Sequence, residues 1–173
     1  TRSNGKFEYY RLQENTKRGD TAAVLFGNLV YNGGYAYRTE DGSLHGDRIA
    51  GAVAASPTGV VHGASDRLRS LKVVIEDKKD RKGKPIKVPI HKSLWEVKGV
   101  PAGTSLIIAA NTIVTSSEKR IATVDASNGK LIWSDEVDDV AYGLAAANGQ
   151  LFVSTASGAI HCYTASPESE EET

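Results

Sequence analysis

Apolar and polar residues alternate with a period of two through short runs, and turn residues break each run. The pattern is densest from Ile121 to Ala165, where Ile121–Val124, Lys130–Trp133, Leu151–Ser154 and Ile160–Tyr163 read as strands. Asn128-Gly129, Asn148-Gly149 and Ser157-Gly158 separate them. Such pairs favour hairpins, because the tight turn needs φ > 0 and Gly or Asn adopts it at little cost. Upstream, the same rule predicts strands at Ala22–Phe26, Leu29–Tyr31, Tyr35–Arg38, Val60–Ala64, Arg69–Ile75, Ser93–Val97, Leu106–Ala110 and Thr112–Ser116, while Ile49–Ala55 is a small apolar run. Gly33-Gly34, Asp41-Gly42 and Ser56-Pro57-Thr58-Gly59 supply turns between them. The fold class is all-β.

The runs repeat. Trp95 and Trp133 are 38 residues apart, as are Leu106 and Leu144, Ala109 and Ala147, and Ile113 and Leu151. AASPTGVVHGASDR (54–67) aligns with AANTIVTSSEKR (109–120) and with AANGQLFVSTASG (146–158). The first spacing is nearer 54, and an insertion at 76–92 accounts for the excess. Four-stranded units of roughly 40 residues are blades of a β-propeller, and a blade buries its faces only against its neighbours. The 173 residues supply three to four such blades, so the expectation is a partial propeller. Its divisions are a polar leader (1–20), the blades with their basic insertion (21–165) and an acidic tail expected to be disordered (166–173).

The segment IATVDASNGKLIW resembles the repeat of pyrroloquinoline-quinone-like propellers, which runs approximately Leu-Tyr-Ala-Leu-Asp-Ala-x-Thr-Gly-Lys-x-x-Trp. Asp125, Ala126, Gly129, Lys130 and Trp133 match; Thr123 and Asn128 stand where Ala and Thr are usual. The resemblance covers 93–165 and, more faintly, 50–75. It implies that Trp95 and Trp133 dock between blades, that Asp125 accepts from turn N–H groups, and that Gly129 takes the left-handed position. Quinone-binding members carry calcium and often a vicinal Cys pair. With Cys162 alone the pair is excluded, and no cofactor is expected. The family also holds non-enzymatic members that serve as scaffolds at the bacterial envelope, so a periplasmic or extracellular setting is implied.

Composition adds little. Lys+Arg and Asp+Glu both number 21, which favours neither nucleic acid nor an anionic membrane. No apolar run approaches the roughly 18 residues of a membrane span. Met is absent and Thr1 comes first, which reads as a processed or excised piece. In an alternating strand, Cys162 is expected in the core. His45, His62, His91 and His161 lack metal-ligand spacing and are expected at strand surfaces and turns. Asp135, Glu136, Asp138 and Asp139 read as a solvated acidic turn, with a weak calcium site as the alternative. The tyrosines, among them Tyr31, Tyr35, Tyr37 and Tyr142, read as packing residues or, at loop tips, as carbohydrate contacts.

The insertion is the one strongly charged feature. Lys78, Lys79, Arg81, Lys82, Lys84 and Lys87, with Lys92, form a long solvated hairpin or loop that could dock an acidic partner. It has no aromatic residue for stacking on bases, so no nucleic acid is expected. The leading functional expectation is a non-catalytic scaffold that binds a protein or a glycan, or the remaining blades of its own protein, with a homodimer as a further possibility. The alternative is the propeller part of a larger hydrolase or quinoprotein-like oxidoreductase with its active site on the ring axis.

Overall fold

The computed structural model describes residues 23–32, 35–46 and 51–164, which form fifteen strands in four antiparallel sheets. The leader and the acidic tail lie outside the described residues. The first sheet holds β1 (Val24–Phe26), β2 (Leu29–Asn32), β3 (Tyr35–Arg38) and β4 (Leu44–His45). The second holds β5 (Ala52–Ser56), β6 (Gly59–Ala64), β7 (Arg67–Lys79) and β8 (Pro85–Lys98). The third holds β9 (Ser105–Ala109), β10 (Thr112–Ser117), β11 (Arg120–Asp125) and β12 (Leu131–Glu136). The fourth has three strands, β13 (Ala141–Ala147), β14 (Gln150–Thr155) and β15 (Ile160–Thr164). Each sheet is a meander in chain order. The opening strands β1, β5, β9 and β13 lie side by side in succession, so the sheets radiate from a common inner edge.

No sheet owns a core. Alternation sends successive side chains to opposite faces, and each face packs on a different neighbour. Val60 joins Leu29, Tyr31, Ala36 and Leu71 between the first and second sheets. Val61, next in the chain, joins Leu68, Leu106, Ile113 and Val124 between the second and third. Ile121 packs with Val137, Ala141 and Val153 between the third and fourth, while Ala122 serves the seam behind.

The connectors repeat as well. After the second sheet, the Val100 and Ala102 N–H groups donate to the carbonyls of Asp66 and Ser65, 3.2 and 2.8 Å. After the third, the Val137 and Ala141 N–H groups donate to Lys119 and Glu118, 2.8 and 2.9 Å. The first connector runs so close to β6 that a Cβ on Gly63 would stand 2.3 Å from the Ala102 carbonyl oxygen. Only glycine lets two backbones approach this far.

Two sequence expectations are corrected. Cys162 is exposed, because β15 turns Ile160, Cys162 and Thr164 to the face that no described sheet covers. His45 and His62 are buried, 6% and 3% exposed, because both strands turn them into the seam between the first and second sheets. The strands at Arg69–Ile75 and Ser93–Val97 are parts of the longer β7 and β8.

Candidate binding site at the sheet seams

Trp95 and Trp133 occupy equivalent places. Each lies on the fourth strand of its sheet, opposite the third-strand residue just before a bulge: Trp95 faces Ser70, and Trp133 faces Thr123. The bulge leaves Leu94 and Ile132 unpaired, and both are exposed. The Trp95 indole N–H crosses to the third sheet and donates to the Ala126 carbonyl, 3.1 Å. Its ring lies flat on Gly129, where an added Cβ would stand 2.7 Å from Cε3. Gly129 has φ +79°, a left-handed conformation that favours glycine, and the missing Cβ leaves room for the ring.

Asp125 builds that turn. Its carboxylate accepts from the Ser127 N–H at 2.7 Å and the Ser127 hydroxyl at 2.5 Å. These bonds, the hydroxyl first, hold its pKa below the usual carboxylate range. The same device opens the turn between third and fourth strands in the other four-stranded sheets. Asp41 accepts from Ser43 N–H (2.9 Å) and Oγ (2.6 Å), and Asp80 from the Lys82 and Lys84 N–H groups (2.8 and 2.9 Å). Sequence reading missed Asp80 in this role, although the signal, an Asp with a Gly shortly behind it, is present.

At the next seam Trp133 meets Tyr163 edge to face, ring centroids 4.9 Å apart. Beside the pair opens a cleft of about 800 Å³ between the third and fourth sheets, lined by Ile132, Trp133, Ala146, Leu151 and Tyr163 among others. Its lining is mostly apolar. The outer strand β15 flanks it, and among the described residues nothing pairs with that strand's outer edge.

The six basic residues fall on one hairpin. Lys78, Lys79 and Lys87 lie on β7 and β8, and Arg81, Lys82 and Lys84 on the tip that Asp80 pins. Strands β7 and β8 have 13 and 14 residues against 6 each for β11 and β12, an overhang of about 25 Å at ~3.3 Å per residue. A pair of opposite charges, Glu76 and Lys92, bridges the strands at 3.2 Å.

A Ser–Asp–His cluster sits at the outer rim of the fourth sheet. Asp138 accepts from Ser157 Oγ at 2.6 Å and contacts His161 Nε2 at 2.7 Å. The carboxylate stands between the other two. A nucleophilic serine needs the imidazole in that place, to take its proton. The cluster therefore latches the acidic turn to the fourth sheet instead of activating Ser157. The Ser157 hydroxyl, then His161, pull the Asp138 pKa down to about 2. The folded value is lowered, so the latch stabilises the fold above the unfolded carboxylate pKa and loses this as pH falls through about 2. An NMR titration should place Asp138 near 2 in the parent chain and return it toward ~3.9 when Ser157→Ala and His161→Gln are combined. An unmoved value in the double variant would refute the latch.

No protein-family model matches this sequence, and no curated protein matches it. Solved structures do. The computationally designed Ika4 protein aligns with a TM-score of 0.59 at 18% identity, over 83% of this chain and 89% of Ika4. With the radial sheets and shared seams, that likeness defines the class: the molecule is an all-β propeller segment, with three four-stranded blades and one three-stranded blade among the described residues. The designed Ika8 protein (TM-score 0.43, 19% identity) and BamB from Moraxella catarrhalis (0.40, 18%) also align. This chain spans 57% and 53% of their respective lengths. Among the described residues no helix is long and apolar enough to cross a membrane.

Proposed function

We propose that this chain is a non-catalytic propeller segment of the pyrroloquinoline-quinone-like repeat type that binds an extended apolar stretch of a protein partner. The observation that carries this reading is the open seam: an apolar cleft of about 800 Å³ lies beside the outer strand of a three-stranded blade. An extended polypeptide can pair with such an edge through its backbone while alternate side chains fill the cleft. The remaining blades of the same protein are one source of that polypeptide. A glycan, which needs several directed polar groups around an aromatic face, suits the apolar lining less well. The bacterial-envelope setting rests on the resemblance of residues 121–133.

A peptide-display selection against the purified chain, followed by hydrogen exchange, tests the reading. Extended peptides with alternating apolar residues should be selected and should protect amides of Ile160–Thr164. Ile132→Glu, at a side chain 59% exposed, should weaken them at least tenfold without unfolding the chain. Glycans bound in preference to any peptide, or protection confined to another face, would overturn it.

A further inference from the structure

The basic insertion does more than overhang. Its lower half lies against the first blade and walls a cleft of about 610 Å³ with it, lined among others by Arg38 and His45 from the first blade and Arg69, Lys78 and His91 from the second. Among the described residues no Asp or Glu lines this cleft, and its volume is that of a small-molecule site. We propose that it is a binding site for a small oxyanion, a phosphate or carboxylate group carried on a compact organic molecule.

Among the described residues the positive charge there is only partly paired, by Glu96 beside Arg69 and by Asp41 in the electrostatic reach of Arg38. Among the described residues Arg69 Nε is buried without a hydrogen-bond acceptor, and its ion-pair partner Glu96 is 4.0 Å away and nearer to Arg67, at 3.5 Å. Arg69 Nη2 faces His62 Nδ1 at 3.2 Å, a neutral acceptor at most. A planar guanidinium beside a compact ammonium is a recurring oxyanion-binding pair. His91 is held by the Tyr31 hydroxyl at 2.7 Å, and burial pushes that hydroxyl up to about 12, so it stays protonated. The His45 and His91 ring centroids are 6.1 Å apart. Burial first, then Arg38 and Lys78, hold His45 below the usual imidazole range against the opposing pull of the Pro89 carbonyl. Burial first, then His45, does the same to His91. A bound anion opposes the electrostatic part of both shifts and makes the two rings reporters of the site.

Calorimetric titration of the full chain with inorganic phosphate and, separately, with succinate tests the proposal and tells the two anion chemistries apart. At least one should bind with a dissociation constant of 1 mM or tighter. Arg38→Gln and Lys78→Gln should each weaken it at least fivefold. Lys84→Gln, the same charge change at the hairpin tip, should leave it unaltered. In parallel NMR titrations the saturating anion should raise the His45 and His91 pKa values by at least half a unit. Binding of neither anion below 10 mM, equal weakening by Lys84→Gln, or binding of polyglutamate alone would overturn the site. These readouts do not involve the cleft beside Trp133, so they stand or fall apart from the scaffold reading.

Discussion

Trp95→Ala should cost about 3 kcal/mol of unfolding free energy, the lower part of the range for removing a large aromatic because the ring is only half buried. The change removes two things at once: the flat contact on Gly129 and the bond to the Ala126 carbonyl. That carbonyl belongs to the next blade, so the loss falls on the joint between blades. Gly129→Ala should cost about 2 kcal/mol by an independent route, since the new Cβ needs φ > 0 and also meets the indole. The two changes share one contact and should not add. In the Trp95→Ala background Gly129→Ala should cost only the backbone part, about 1 kcal/mol. Urea unfolding followed by tryptophan fluorescence and circular dichroism measures all four chains of the cycle. Strict additivity, or a loss under about 1 kcal/mol for Trp95→Ala, would show that the indole does not hold this joint.

Leu68→Ala should cost about 3 kcal/mol through the cavity left in the same seam. Leu68 is fully buried and packs in the cluster with Val61, Leu106 and Ile113, so several elements would have to collapse to close the gap. Its effect should also be local. Stability in stacked repeats is a sum of unit and nearest-neighbour terms, so hydrogen exchange should quicken most in β5–β12. It should quicken less at Leu29–Tyr31, which packs in a separate seam. An equal increase in every sheet would mean that the blades unfold as one indivisible unit.

Much of this architecture was legible as pattern. Period-two alternation and Asn-Gly turns located most strands, and the 38-residue spacing put Trp95 and Trp133 in register before any contact was known. Strand β13 was harder, because AYGLAAA is poor in the β-branched and aromatic residues that mark strands; pairing with β14 holds it in place. The full reach of β7 and β8 was obscured by charge. Lysines on exposed strand positions read as loop when no core face accompanies them. Neither cleft was visible, since each joins side chains from two blades.

From the order of residues alone follow most of the strands, their turns, the repeat and the place of the insertion, because each depends on interactions within about 40 residues of chain. Which face of a strand is buried is a different matter. Cys162 and Val153 sit in similarly alternating strands, yet one is exposed and the other fully buried. The difference is whether another of the described sheets packs on that face, which alternation does not encode. The same is true of the cationic cleft and of the seam beside Trp133: their chemistry arises where blades meet, and only the packing of sheets brings those residues together.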